Sequence, residues 1–365
     1  MLLKFLKNNV VLIVAVIAAA ASCFIIPPDA EYFKYFDWRT LACLFGTLLV
    51  VCALSDIHFF EILARKIVTK FKNMRNITFA LVFITYFGSM ILANDMALIT
   101  FLPLGYFALS RTGKKKYMAY IFILQNIAAN LGGMLTPFGN PQNLFLYSYF
   151  NIPTIEFLRI MAPPFCAALV LIVLCCFFIK PEPAEIIDDV YYKTDKKKIA
   201  VYLILFALSI LSVFRIFPYY YGIAAVALGI IISDRRAYKS VNYGLLFTFC
   251  AFFVFSGNLS RVSAVHEFVA SLLTKNTLLV TVLSCQIISN VPTATLLSRF
   301  TSNYPALLVG VNIGGIGTLV ASLASLITFN EYRKHGDKPL KYLGLFSLVN
   351  FSFLIILIAF ETLVL

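Results

Sequence analysis

Long runs without a single charge decide what this chain can fold into. Val10 to Ile26 and Phe165 to Ile179 contain no charged residue, and about 20 mostly apolar residues suffice to cross a bilayer as a helix. Hydrophobic residues make up 61% of the 365 and charged residues 13%, well outside the balance of a water-soluble domain. Backbone groups in lipid must be satisfied within the chain, so helices are the expected element. The alternating strands of a membrane β-barrel are not seen in the sequence. The chain therefore reads as an all-α polytopic membrane protein.

Inside this apolar background one pattern occurs twice. NLGGMLT (Asn130 to Thr136) nearly matches NIGGIGT (Asn312 to Thr318), and each follows an apolar segment with a polar tip, at Asn94 and at Asn290. A duplicated set of broken hydrophobic segments is the trace of a secondary transporter built from two repeats.

The net charge of +13 does not point to nucleic acid. Most of the 30 Lys and Arg fall in six short clusters between apolar runs: Lys4 and Lys7; Arg65 to Arg75; Arg111 to Lys116; Lys180 to Lys198; Arg235 to Lys239; Arg333 to Lys341. The positive-inside rule places all six in the cytoplasm. The N-terminal run has no convincing cleavage site and reads as a retained first span. The segment from Ile77 to Ser110 then leaves the cytoplasm and returns to it, in too few residues for two comfortable full spans. It is expected to be a re-entrant hairpin of two half-spans, residues 77–110, meeting at Ala93-Asn94-Asp95. A second hairpin, 278–300, with its tip at Ser289-Asn290-Val291-Pro292, lacks strong basic flanks and is expected to enter from outside.

Full spans are then expected near 9–27, 39–57, 117–150, 154–179, 199–217, 219–233, 242–259, 304–330 and 340–363. These nine put the N-terminus in the cytoplasm and the C-terminus outside, in an inner or plasma membrane. The division is a first repeat, 1–180, with broken helix 117–150; a cytoplasmic linker, 181–198; and 199–365, an extra span plus an inverted second repeat with broken helix 304–330.

Helix N-termini at the tips suit anions, and Asn94 or Asp95, and Ser289 or Asn290, are expected to cap them. Asp95 is the one carboxylate placed deep in an expected membrane element, where acids default to ion or proton sites. In LTPFGNPQN, Pro137, Gly139 and Pro141 interrupt a span, which frees carbonyls beside the amides of Asn140, Gln142 and Asn143. The second break offers Gly314, Gly315, Gly317, Asn312, Thr318 and Ser322. Candidate solute contacts are Asn94, Asp95, Asn140, Asn143, Ser289, Asn290 and Thr318. Candidate coupling-ion positions, for sodium or a proton, are Asn94, Asp95, Thr136, Gly139, Ser289, Asn290, Asn312 and Gly315. Asp56, His58, Glu61, Arg215 and Glu361 read as interfacial, and Arg299 as a side chain reaching the surface. Eight cysteines and three histidines lack metal-ligand spacing. No nucleophile elbow, Walker loop or His-Glu metal motif appears, so an enzyme is not expected, nor any cofactor beyond the coupling ion.

The stretch ILANDMALITFLPL together with NIAANLGGMLTPFGNPQNL resembles the ion transporter superfamily, which includes divalent anion/sodium symporters, citrate transporters and arsenite efflux permeases. The resemblance runs from about residue 40 to the end and is strongest to citrate transporter-like anion permeases. It implies two inverted repeats, each with a re-entrant hairpin and a broken helix, a mobile transport domain on a scaffold, and a homodimer. In the dicarboxylate branch both tips read Ser-Asn-Thr and contact the substrate carboxylate and sodium. Here both asparagines are kept, one serine remains and both threonines are replaced; the Asn-Asp pair is more similar to the arsenite branch. The expected function is cation-coupled transport of a small anion or oxyanion, carboxylates included. The alternatives are proton-coupled efflux of a neutral metalloid such as arsenite or antimonite, and sodium/proton antiport.

Overall fold

Each apolar run becomes a helix, and polar residues at the run ends start them. In the computed structural model, which describes residues 10–185 and 195–364, the first half comprises α1 (Val10–Ile25), α2 (Trp38–Asp56), α3 (Phe59–Val68), α4 (Met74–Leu92), α5 (Asn94–Arg111), α6 (Met118–Gly132), α7 (Pro141–Tyr149) and α8 (Thr154–Cys176). The second half comprises α9 (Lys196–Val213), α10 (Tyr219–Ser233), α11 (Tyr243–Ser260), α12 (Ser263–Ile288), α13 (Asn290–Leu297), α14 (Tyr304–Ile313), α15 (Leu323–His335) and α16 (Pro339–Val364). Seven helical stretches among the described residues are long and apolar enough to cross a membrane. The protein is an all-α polytopic membrane protein. Lys4, Lys7 and Lys193 lie outside the described residues.

Capping sets the starts. Asp37 accepts from Thr40 N at 3.0 Å to begin α2, and Asn242 accepts from Leu245 N at 3.1 Å to begin α11. Asn73 accepts from Asn76 N at 2.9 Å to begin α4. Asn276, with φ −162° and ψ 93°, divides α12, and its side chain accepts from Leu279 N at 2.9 Å to start the part that runs to the second tip. Such side-chain caps satisfy amides that a helix start leaves open.

The same order of elements occurs twice: a long helix, a short helix, a helical hairpin, a helix broken by glycines, and a closing helix. The short members, α3 and residues 263–275 of α12, are not foreseen from the sequence. Around α3 the sequence shows a basic cluster, Arg65 to Arg75, and its Lys and Arg mask the apolar stripe of Phe59, Phe60, Leu63 and Ile67. The halves also exchange partners: α1 packs on α11, and α10 packs on α2. The first hairpin departs from the half-span expectation. Its limbs have 19 and 18 residues, about 27–28 Å each at 1.5 Å per residue, because Asn73 starts the first limb early and Arg111 is still helical. The limb of the second hairpin that begins at Asn276 is shorter and ends at Ser289.

Charged groups pair within two sets that lie at opposite ends of the helices. At one end, Glu182 accepts from Lys114, Lys116 and Tyr117 at 2.6–2.7 Å, Ser240 donates to the Asp56 carboxylate, and His335 stacks on Tyr106. At the other, Arg261 pairs with Asp29 at 2.7 Å and Tyr304 bonds Glu156. Arg299 also belongs there. Rather than reaching for the surface it donates to the Tyr35 carbonyl at 2.8 Å, because a guanidinium near buried backbone finds acceptors there. Arg215 donates to the carbonyls of Tyr147 and Ile152, closing the C-terminal end of α7.

Candidate functional site

Two residues with unusual backbone carry the tips. Ala93 has φ 64° and ψ 149°, and Ser289 has φ 74° and ψ 159°. Non-glycine residues rarely hold this conformation, which costs on the order of 1–3 kcal/mol and marks functional sites. In each hairpin the residue makes a sharp reversal, and its carbonyl accepts the first bond of the returning helix, from Ala97 N and from Thr293 N. The caps therefore differ from expectation. Ala93, not Asn94 or Asp95, is the N-cap of α5, and Ser289 caps α13 through its backbone, without a side-chain cap bond. The geometry of the reversal leaves Asn94 and Asn290 already inside the helix. Each turns its Oδ1 to the next amide, Asp95 N at 3.0 Å and Val291 N at 2.9 Å.

Both tips end in one cavity of about 310 Å³. Asn94 and Asp95 line it from the first hairpin, Ser289, Asn290, Val291 and Pro292 from the second, and Pro141 and Gln142 from the start of α7. Helix α15 adds Leu323 and Ile327, α11 adds Thr248, and α1 adds Leu12. Asn242 and Asn330, both exposed, lie where the cavity opens, toward the end that carries the Ser240–Asp56 contact. Among the described residues no Lys, Arg or His lines the cavity, and Asp95 is the one carboxylate that does.

The first turn of α13 has no amide left for a ligand. Asn290 N donates to Ala321 O at 2.9 Å, Val291 N to Asn290 Oδ1, and residue 292 is proline. The expectation of two open helix N-termini facing an anion fails at this tip, since loop backbone from the second break already occupies it.

Behind the cavity the two broken helices cross through a network of amides. Asn94 Nδ2 donates to Asn130 Oδ1 at 3.2 Å, and Asn140 Nδ2 donates to Asn130 O at 3.2 Å and Asn312 Oδ1 at 3.1 Å. Asn312 Nδ2 donates to Asn143 Oδ1 at 2.6 Å, and Asn143 Nδ2 donates to the carbonyls of Met134 and Thr136. Two amide oxygens in this layer, Asn140 Oδ1 and Gln142 Oε1, are buried without a donor, a costly state that a ligand or cation would relieve. Gly139 and Gly315 are glycine for space: a side chain on the first would strike Gly133 O, and one on the second would sit 3.0 Å from Asn290 Nδ2 and 3.2 Å from Asn312 O.

The threonines of the repeated motif do matching work away from the cavity. Thr136 Oγ1 donates to Met90 O at 2.7 Å, and Thr318 Oγ1 donates to Gln286 O at 3.0 Å. Each ties a break to the hairpin limb just before its tip. Thr318 does not line the cavity, so as a solute contact it is misplaced. Its amide is held by Gln286 Oε1 at 2.8 Å, and Gln286 Nε2 clamps Gly314 O and Ile316 O. Asn140 and Asn143 likewise stand behind the lining. Gln286, Asn242 and Asn330 were not singled out from the sequence; the one signal for Gln286 is a lone amide in an apolar run four residues before Asn290.

A citrate transporter family model matches residues 2–307. An uncharacterised transporter of Methanocaldococcus jannaschii is 36% identical over 82% of this chain and 82% of its own length. An inner membrane protein of Escherichia coli is 30% identical over 80% of this chain and 79% of its own. A silicon efflux transporter of Oryza sativa is 28% identical over 39% of this chain and 30% of its own. With the family match spanning most of the chain and the cavity lying where the two tips meet, the protein is a membrane transporter that belongs to the citrate transporter family.

Proposed function

We propose that this chain is a secondary active transporter for a small, hydroxyl-rich solute that is uncharged when bound, such as a metalloid hydroxide, coupled to protons through Asp95. The observation that carries this is the cavity itself: two hairpin tips supply amides, a hydroxyl and one carboxylate, and among the described residues no cationic side chain lines it. A bare anion beside Asp95 would meet repulsion with no compensating charge. A neutral hydroxylated solute would satisfy the Asn94, Asn290 and Gln142 amides without that cost. The silicon efflux relative is consistent with such a solute.

A second reading has its own support. Transport of a carboxylate or other small anion fits the family's description, and the unpartnered Asn140 and Gln142 oxygens are the ligand type that sodium prefers. In that reading sodium supplies the missing positive charge.

In both readings the hairpins are re-entrant, the two repeats are inverted, and the chain works as a homodimer with its N-terminus in the cytoplasm and its C-terminus outside. The cavity opens toward the basic end, which the positive-inside rule assigns to the cytoplasm, so the conformation described is the inward-facing one of an alternating-access cycle. The test is flux in proteoliposomes under separate pH and sodium gradients, with arsenite, silicic acid, citrate and sulfate as solutes. Flux of a neutral hydroxide driven by the pH gradient supports the first reading. Sodium-driven flux of citrate or sulfate alone would replace it with the second.

A further inference from the structure

A second cavity, of about 780 Å³, has nothing to do with the polar one. It is a groove on the side of the helices, floored by Phe79, Phe83 and Phe87 of α4 and walled by α3 on one side and by Leu203 and Phe206 of α9 on the other. The three phenylalanines are four residues apart, so they line one face of α4 as tilted neighbours with ring centroids 5.8 and 5.9 Å apart. From Phe79 to Ile91 the groove follows α4 for about 18 Å at 1.5 Å per residue. That is close to the depth of one leaflet of a hydrocarbon core roughly 30 Å thick. Ile67 and Phe71 line its mouth, and Lys66 and Lys70, both exposed, stand beside them.

We propose that this groove binds one acyl tail of an anionic phospholipid, with the headgroup phosphate at Lys66 and Lys70. An apolar channel one leaflet deep with positive charge at one end matches a lipid of that kind. The position gives the lipid a role. Helix α4 packs with α5 and α6 and carries the first tip, whereas α9 packs on α2 and α10. A tail seated in the groove spaces the tip-bearing hairpin from α2 and α9, so lipid headgroup charge tunes the movement of the hairpin.

The experiment uses the full chain in detergent, titrated with phosphatidylglycerol or phosphatidylcholine of the same chain length and read by native mass spectrometry. Phosphatidylglycerol is expected to bind more tightly. Juxtamembrane lysines contribute about 1 kcal/mol each toward an anionic lipid, so Lys66→Gln with Lys70→Gln is expected to lower phosphatidylglycerol affinity about thirtyfold and to weaken binding of phosphatidylcholine, whose phosphate is neutralised by its own choline, far less. Ala80→Phe, which fills the groove from α4, is expected to abolish the tight site for both lipids. A diazirine-bearing acyl chain is expected to label α4 near Phe83 in the parent and not in Ala80→Phe. Equal binding of the two lipids, indifference to the lysines, or disulfide cross-linking of two copies through Ile91→Cys would overturn the proposal; the last would make the groove an interface between copies.

Discussion

Asn312 Nδ2 donates to Asn143 Oδ1 at 2.6 Å, joining the glycine-rich break of the second half to the start of the second broken segment in the first. Both side chains are almost fully buried, so neither has water as an alternative partner. This bond holds the two breaks in register, and the register sets where the tips meet. Asn312→Ala leaves the Asn143 oxygen without its donor, a cost of about 1–3 kcal/mol. We expect a lower thermal midpoint and a loss of transport that cannot be restored by raising solute concentration, measured by differential scanning fluorimetry and uptake.

Asn94 and Asn290 face the cavity from opposite hairpins in matching geometry. Substituting either by Ala is expected to reduce transport about tenfold or more, as loss of a buried hydrogen bond implies, with normal insertion and yield. Wild-type uptake by both variants would move the solute site elsewhere.

Asp95 is tested by Asp95→Asn, which keeps the shape and removes the charge. If it carries the coupling proton, flux in the variant should no longer respond to a pH gradient, while exchange of solute at equal pH continues. A variant that still accumulates solute against a gradient, with an unaltered pH profile, would remove Asp95 from coupling.

Strain at the tips is measurable. Gly at position 93 adopts positive φ freely, so Ala93→Gly is expected to be neutral or to stabilise by up to about 1 kcal/mol. Ala93→Val forces a branched side chain into the same backbone and should destabilise by roughly 2 kcal/mol. Thermal melts of the two variants check the sign of each.

Glu182 ties the feet of the first hairpin: its backbone carbonyl accepts from Met74 N at 2.8 Å, and its carboxylate accepts from Lys114, Lys116 and Tyr117. Hydrogen bonds from these three groups hold its carboxyl well below the usual range, at about 2. A depressed carboxyl contributes in full above its unfolded value of about 4.3 and is lost only as pH falls through the folded value. Hydrogen exchange at Met74 and Tyr117, corrected for intrinsic rate, should therefore be flat from about pH 8 to pH 5.5. Glu182→Gln should accelerate it at every pH in that window.

Side of entry can be read by labelling. Single cysteines at Lys72 and Gly113 are expected to react from the cytoplasm, and one at Ser302 from outside. Reaction of the first two from opposite faces would break the hairpin reading.

Much of the fold was legible because membrane helices depend on local properties. Apolar length gave α8 and α16 nearly at their observed bounds, and proline and glycine marked the break between α6 and α7. What escaped was local structure whose signal is mixed. In α3 seven apolar residues are interleaved with Glu61, Arg65 and Lys66, and counting charge hid the stripe. Limb length escaped for a related reason: the basic residues that flag a membrane boundary also sit within the terminal helical turns, Arg75 in the first turn of α4 and Arg111 in the last turn of α5.

The sequence by itself determined that the chain spans a membrane, which transporter superfamily it resembles, and that Asn94, Asp95 and Asn290 lie at interruptions in apolar segments. Those properties follow from composition and short-range spacing. Only the tertiary structure decided that both tips open into one cavity, that Asn143 and Asn312 are fasteners behind it, and that Thr318 binds Gln286 instead of lining it. The tips are nearly two hundred residues apart, so no periodicity connects them; their meeting is set by how the two broken helices pack across each other.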